Sequence, residues 1–250
     1  MSDIIIFYDI PSVNGTGWSP NTWKTRLALN FKGVPYKTVW VEYPDIEALS
    51  KEIGAAPTGV KGDGSPSYTL PTIYDPKTKK VISDSQDIAE YLDATYPSGP
   101  TLFPKGTLAL QIAFQEAFTT TALGSLFPPL LQESITILNE KSAVYFRQTR
   151  EATYGKKLEE FSPYGAGRNE HWAKVRAGFS TVAGWIKKSG GVFVLGDSPS
   201  YADLSVAAFL VWVRSVRGAD SADYKAIQAW DDGFWGTYLA LLDKYTKPDA

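Results

Sequence analysis

Apolar and polar positions in the first 96 residues follow short strand and helix patterns. An apolar run at 4–9 predicts a buried strand, and Trp23, Leu27 and Phe31 form one helical stripe. The stretch 54–66 is rich in glycine and proline and predicts no regular element. The predicted strands are 4–9, 37–43, 68–74 and 80–83; the predicted helices are 22–31, 45–53 (with Asp45 as a capping residue) and 85–96. Five residues join the last two strands, which predicts an antiparallel hairpin.

The order β-α-β-α-β-β-α predicts a thioredoxin-like domain over residues 1–98, and helical periodicity replaces strand periodicity beyond it. The helices predicted there are 108–127, 130–154, 169–188, 200–216 and 222–244. Pro128 and Pro129 are expected to break or kink the first of them. The predicted fold class is therefore α/β plus all-α, with an all-helical domain at 107–250.

Composition excludes several kinds of chemistry. The 250 residues contain no cysteine and a single histidine, His171, so thiolate metal sites, cysteine nucleophiles and most histidine triads are excluded, and no metal site is expected. A formal charge of −2 gives no electrostatic case for nucleic acid or anionic lipid. No apolar segment approaches the length that spans a bilayer, and we expect a cytoplasmic protein without membrane contact.

Three short motifs carry candidate chemistry, and each has a purely structural alternative. The Ser19 hydroxyl, before Pro20, either caps the first helix or faces a negatively charged ligand atom. Pro71 lies inside an apparent strand, which indicates an edge strand or a cis bond. Asp84 and Ser85 precede a helix, where they either cap it or bind a ligand amine and carboxylate.

The order and spacing of these motifs resemble the glutathione transferase family over nearly the whole chain. The matching segments are SPNTWKTRLAL at 19–29, TLPTI at 69–73, SDSQDIAEYL at 83–92 and LGDSPSYAD at 195–203. In the last segment, Ser200 and Asp203 form a capping box, a stabilising element. The long loop before Ser19, the tryptophan after SPNT and the insertion at 54–67 are most similar to the β-etherase-like branch and its fungal-specific class A (FuA) enzymes.

The resemblance implies a serine-type enzyme with glutathione as its cofactor. Its thiolate would accept a hydrogen bond from the Ser19 hydroxyl, for which Asn21 and Thr22 are alternatives. The implied glutathione-binding residues are Asn21, Trp23, Leu70, Pro71, Asp84 and Ser85. Asn21 replaces the usual aromatic residue, which bears on the efficiency of thiol activation. Asp84 replaces the commoner glutamate, which shortens the reach of the carboxylate to the ligand amine.

The implied second substrate is an aromatic or aryl-ether electrophile bound between the domains, beside the first loop and the long helix. Candidate wall residues are Trp18, Trp23, Phe114, Phe118 and Phe127, although for any one of them a place in the core is the favoured alternative. Without cysteine, conjugation, ether cleavage or a peroxidase side activity remain, and so does a ligandin that holds phenolic compounds with little turnover. A regulatory protein without catalysis is a third alternative, and the family implies a homodimer.

Overall fold

A four-stranded mixed sheet organises the first half of the chain in our computed structural model, which describes residues 4–247. The termini of both predicted domains, 1–3 and 248–250, lie outside the described residues. The strands are β1 (Ile5–Asp9), β2 (Tyr36–Trp40), β3 (Gly59–Val60), β4 (Pro66–Ser67), β5 (Thr72–Asp75) and β6 (Lys80–Ser83). The sheet order is β2-β1-β5-β6, with β1 parallel to β2 and antiparallel to β5. The expected β5–β6 hairpin is antiparallel, and the predicted thioredoxin-like topology is confirmed.

Three α-helices accompany this sheet: α1 (Pro20–Lys32), α2 (Ile46–Ile53) and α3 (Ser85–Thr95). The apolar stripe of α1 is buried as predicted, at Trp23, Leu27 and Phe31. The helix ends where Gly33 adopts the left-handed conformation that glycine tolerates best (φ 65°). Burial of this stripe fixes the orientation of α1, and with it the position of the loop that leads into Ser19.

Two predictions for this half are wrong. Residues 54–66 contain regular structure, because Gly59–Val60 pairs with Pro66–Ser67 in a short antiparallel ladder. The glycines supply the tight turn between these strands, with Gly64 at φ 85°. Asp45 makes no capping hydrogen bond, since a 3₁₀ turn precedes α2 and already gives Asp45 a helical backbone. Its carboxylate accepts a hydrogen bond from Lys141 Nζ at 2.6 Å instead.

The strand predicted at 68–74 is shorter than expected. The bond between Leu70 and Pro71 is cis, and pairing with β1 begins at Thr72. Proline has no N–H for a ladder hydrogen bond, which accounts for this late start. Leu70 therefore lies outside the ladder, at the end of the sheet where α1 begins.

Six α-helices follow: α4 (Leu108–Phe118), α5 (Gly124–Ser134), α6 (Glu140–Tyr154), α7 (Ala166–Lys187), α8 (Tyr201–Arg217) and α9 (Ala222–Leu242), the last kinked by non-helical backbone at 230–233. Of the break or kink expected at Pro128 and Pro129, the break does not occur, because both residues lie inside α5. The irregularity comes earlier, in a π-helical segment at Thr119–Leu123. Gly178 of α7 packs against the backbone of this wider turn, so close that a Cβ there would lie 2.4 Å from the Thr121 carbonyl oxygen. The helix predicted at 130–154 is likewise divided, at Leu138, whose backbone is extended.

Helix α8 forms the centre of the helical half and is buried from Tyr201 to Val213. The predicted capping box is confirmed: Ser200 Oγ and N both donate to Asp203 Oδ2, at 2.8 and 2.9 Å. Asp203 Oδ1 accepts further hydrogen bonds from Val194 N and from the Tyr238 hydroxyl. Helix α1 packs against α8, which joins the two halves. Between residues 4 and 247, no helix has the length and apolarity needed to span a membrane.

Candidate functional site

A cavity of about 650 Å³ separates the sheet half of the chain from helix α6. Ser19, Asn21 and Leu70 line its inner side. Its outer sides are formed by the β3–β4 hairpin, Tyr43 to Glu47, and the α6 residues Tyr145, Thr149, Arg150, Ala152 and Thr153. The predicted location between the halves agrees with this cavity, but its helical wall is α6, not the long helix beginning at Leu108.

Ser19 stands at the start of α1 without capping it. Its backbone is extended and its side chain makes no capping hydrogen bond, although the residue is only 6% exposed. The Ser19 carbonyl instead accepts hydrogen bonds from Thr22 Oγ1 (3.1 Å) and Trp23 N (2.9 Å). The alternative in which the hydroxyl merely caps the helix is therefore wrong, and Ser19 borders the cavity near the positive end of the helix dipole.

A buried ion pair supports the loop beneath Ser19. Asp9, fully buried at the end of β1, accepts hydrogen bonds from Arg26 Nη2 (2.9 Å) and from Ile10 N (2.7 Å). Burial raises the pKa of the Asp9 carboxyl, although the guanidinium of Arg26 opposes this. A Cβ on Gly17 would lie 2.7 Å from Asp9 Oδ2. Only glycine therefore lets the loop approach the carboxylate this closely.

The Pro71 motif and the Asp84–Ser85 motif are joined by a backbone hydrogen bond. The amide of Asp84 donates to the carbonyl of Pro71 at 3.3 Å. Asp84 has a φ of 79°, a region that residues with a side chain rarely occupy, and such strain is concentrated at functional sites. Its carboxylate caps α3, since Oδ1 accepts from Gln86 N at 2.8 Å, but the side chain stays exposed, so the cap is compatible with a ligand contact. The next residue, Ser85, is buried beside the Tyr201 hydroxyl.

Lys24, on α1, is a cation near the candidate site to which the sequence analysis assigned no role. Its ammonium donates to Asn21 Oδ1 at 3.1 Å and lies 5.1 Å from the centre of the Phe209 ring. Burial lowers the pKa of Lys24 to about 8, and the nearby charge of Asp84 partly opposes this shift. The only sequence signal was its position in α1, one turn after the Ser-Pro motif. The structure thus brings a cation close to the Asp84–Ser85 turn.

The predicted aromatic wall residues lie elsewhere in the fold. Trp18 is buried against Tyr43 and Phe146, with ring centroids 6.3 Å from each. Trp23 donates its indole N–H to the Gly17 carbonyl and lines a different cavity, beside Trp40. Phe114, Phe118 and Phe127 pack against other aromatic residues of the helical half: Trp185, Phe179, Phe209 and Trp212. None of the five predicted side chains lines the cavity beside Ser19.

Tyrosines and an arginine form the wall that the sequence motifs did not indicate. The rings of Tyr43 and Tyr145 stack at 6.1 Å with an interplanar angle of 16°. Arg150, one turn further along α6, lies over the Phe146 and Tyr43 rings. Burial raises the pKa of Tyr43 although Arg150 opposes the shift, so the hydroxyl remains protonated at neutral pH. Within residues 4–247, no three histidine, cysteine or acidic side chains form a group that could hold a metal.

Two protein-family models match the chain, one over the sheet half and the other over the helical half. The glutathione S-transferase N-terminal domain matches residues 18–95. The glutathione S-transferase C-terminal domain matches residues 109–245. Together they include Ser19, the cis bond at Pro71, the Asp84–Ser85 turn and the whole of α6.

Solved structures and a curated relative agree with this match. A glutathione S-transferase of Ceriporiopsis subvermispora, crystallised in complex with glutathione, shares 49% identity, with 99% of this chain and all of that chain covered and a TM-score of 0.94. Glutathione transferase GSTFuA3 of Phanerochaete chrysosporium shares 41% identity over both full chains, also with a TM-score of 0.94. The glutathione S-transferase-like protein ustS of Aspergillus flavus is 31% identical over 83% of this chain and 78% of its own length.

Proposed function

Because the chain belongs to the glutathione S-transferase family, and is similar to fungal FuA members of it, we propose that it binds glutathione and transfers it to an aromatic electrophile. The Ser19 hydroxyl donates a hydrogen bond to the glutathione sulfur. The observation that carries this assignment is that Ser19 begins α1 and borders the cavity without using its hydroxyl as a cap.

The energy required for thiolate stabilisation is within reach of this arrangement. A free thiol with a pKa of about 8.5 is only a few per cent ionised at neutral pH. Lowering that pKa by about two units needs about 2.7 kcal/mol of preferential stabilisation of the thiolate. A hydrogen bond to a charged group contributes about 1.5–3 kcal/mol, and a helix N-terminus about 0.3–1 kcal/mol. Ser19 therefore acts as a hydrogen-bond donor and need not act as a base.

Glutathione would lie along the motifs of the sheet half. The peptide groups of Leu70, outside the β5 ladder, pair with the cysteinyl backbone, and Pro71 sets their direction. Asp84 binds the γ-glutamyl amine, while Ser85 and the N-terminus of α3 bind its carboxylate. Lys24 adds a positive charge near this end of the ligand, and Asn21 borders the cavity close to Ser19.

The electrophile would enter from the α6 side. Stacked tyrosines present flat, partly polar surfaces that suit aromatic and aryl-ether compounds. Of the buried aromatics, Trp18 packs behind this wall against Tyr43, whereas Phe114, Phe118 and Phe127 belong to the core of the helical half. The breadth of the tyrosine-lined cavity favours a second candidate function, a ligandin for phenolic compounds. Homodimer formation is part of the proposal, and static light scattering on the purified protein tests it.

Calorimetric titration with glutathione, alongside conjugation assays on a model aryl chloride, tests the proposal. We expect Ser19→Ala to bind glutathione with nearly wild-type affinity but to turn over about 10- to 100-fold more slowly, because one hydrogen bond to the thiolate is lost. Ser19→Thr, which keeps a hydroxyl, is the matched control. Glutathione binding with no turnover of any aryl substrate would favour the ligandin. Failure to bind glutathione would refute the transferase function.

A further inference from the structure

Arg150 is a half-buried cation that borders the cavity without an acidic partner. Its guanidinium lies 4.4 Å from the centre of the Phe146 ring and 5.3 Å from that of Tyr43. It donates to the neutral Thr149 hydroxyl at 2.9 Å. Among residues 4–247, no carboxylate lies within ion-pair distance of it. Partly buried charges are usually paired, so this arrangement leaves a positive charge to be matched by something that enters the cavity.

The other cations on this side of the molecule are already paired. Lys61, which also lines the cavity, binds Glu47 at 2.7 Å. Arg147, one turn before Arg150 on α6, binds Glu151 and Glu159, each at 2.8 Å. Arg150 differs from both in that its neighbours are aromatic rings and hydroxyls.

Two carboxylates of the segment that α6 contacts are also occupied. Glu42 accepts hydrogen bonds from Asn139 and Ser142, and Asp45 accepts from Lys141. Rearrangement of either carboxylate towards Arg150 would break contacts that join α6 to the loop after β2. An incoming anion has no such competition for the guanidinium.

From these contacts we infer that Arg150 and the Tyr43 hydroxyl form an anion subsite that selects aromatic electrophiles carrying a carboxylate. This inference rests on the proposed function and specifies its substrate class. A guanidinium stacked on rings keeps its in-plane N–H groups for a carboxylate, which it can bind through two parallel hydrogen bonds. The stacked Tyr43–Tyr145 pair lies beside it, so one ligand can meet an aromatic surface and a cation together.

A carboxylate at this subsite has two sources, the electrophile and the glycyl end of glutathione. The motifs assigned to glutathione all lie in the sheet half, whereas Arg150 lies on α6 across the cavity. The position of the aromatic pair beside Arg150 favours the electrophile. The glycyl carboxylate is tested as the competing source.

The test compares 1-chloro-2-nitrobenzene with 4-chloro-3-nitrobenzoate, which differ by one carboxylate. In both, the glutathione sulfur bonds to the ring carbon that carries chlorine, the C–Cl bond breaks with its electron pair on chloride, and the thiol proton passes to solvent. We expect Arg150→Met to lower kcat/KM for the benzoate by about 10- to 100-fold while the neutral substrate changes little. Arg150→Lys should give an intermediate loss, because lysine keeps the positive charge but cannot donate two parallel hydrogen bonds to one carboxylate. Arg147→Gln, on the same helix, is the control and should leave the ratio of the two substrates unchanged.

Three outcomes overturn the inference. Equal loss on both substrates would mean that Arg150 only supports the fold, and no loss on either substrate in Arg150→Met would mean that it does not meet the carboxylate. If Arg150→Met raises the KM for glutathione, and the increase is absent with the glycyl monoethyl ester of glutathione as the substrate, Arg150 binds the tripeptide instead. Calorimetric binding of the unreactive 3-nitrobenzoate gives a readout without turnover: weaker binding to Arg150→Met supports the subsite. Absence of all turnover with glutathione would instead refute the proposed function.

Discussion

Thr22 Oγ1 donates a hydrogen bond to the carbonyl of Ser19 at 3.1 Å, while the Ser19 hydroxyl leaves the amides of α1 uncapped. Serines at helix starts commonly use their hydroxyl as the cap. Here Pro20 follows, which has no N–H to satisfy, and the backbone of Ser19 takes over the link to the first turn. Because the backbone of Ser19 makes this link, its hydroxyl is not used as a cap, and the role proposed for it rests on this.

The ion pair beneath Ser19 should be important for stability. Asp9→Asn leaves the guanidinium of Arg26 buried with a weaker partner, and we expect a loss of about 3 kcal/mol in the free energy of unfolding. Urea denaturation measures it. Asp220→Asn removes a fully exposed carboxylate that pairs with Lys225 and should cost little. Equal effects of the two substitutions would contradict a supporting role for Asp9.

Lys24 should make stability depend on pH between about 8 and 10.5. Its pKa is about 8 in the folded protein, whereas an unfolded chain has the ordinary lysine value of 10.5. Between these two pH values the unfolded chain therefore binds more protons than the folded protein. Stability therefore rises with pH there, by about 2 kcal/mol once the exposed part of the side chain is allowed for. Lys24→Met should abolish this rise and stabilise the protein at pH 7.

Chemical denaturation at pH 7 and pH 10 measures the difference, and Lys105→Met, which removes an exposed lysine, is the control. A pH dependence that is the same in Lys24→Met and the wild type would show that Lys24 keeps its ordinary pKa. The same variant should raise the KM for glutathione at pH 7 more than at pH 10, since the wild-type side chain is neutral at the higher pH.

The capping box of α8 should affect stability and not chemistry. Ser200→Ala removes the hydroxyl that bonds to Asp203 and should cost about 1–2 kcal/mol. Thermal unfolding tests this loss. Below the melting temperature, kcat/KM should match the wild type, because the box lies at the centre of the helical half and lines no part of the cavity. A fall in kcat/KM without a fall in stability would contradict this assignment.

Local patterns in the sequence predicted the features that depend on neighbours along the chain. The stripe of Trp23, Leu27 and Phe31 predicted α1, and the S-x-x-D spacing predicted the box at Ser200. Features set by distant segments could not be predicted in this way. The π-helical turn depends on Gly178 of another helix, some sixty residues further along the chain. Arg147 and Arg150 look alike in sequence, and only the fold brings acidic partners to the first and aromatic rings to the second.

The pKa of the glutathione thiol bound to the protein tests the central role of Ser19 most directly. Titration of the thiolate by its ultraviolet absorbance, with wild type, Ser19→Ala and Ser19→Thr each saturated with glutathione, measures it without any electrophile. We expect a pKa about two units below that of the free thiol in the wild type, and a return of at least one unit towards it in Ser19→Ala but not in Ser19→Thr. An identical thiol pKa in wild type and Ser19→Ala would contradict thiolate stabilisation by this hydroxyl.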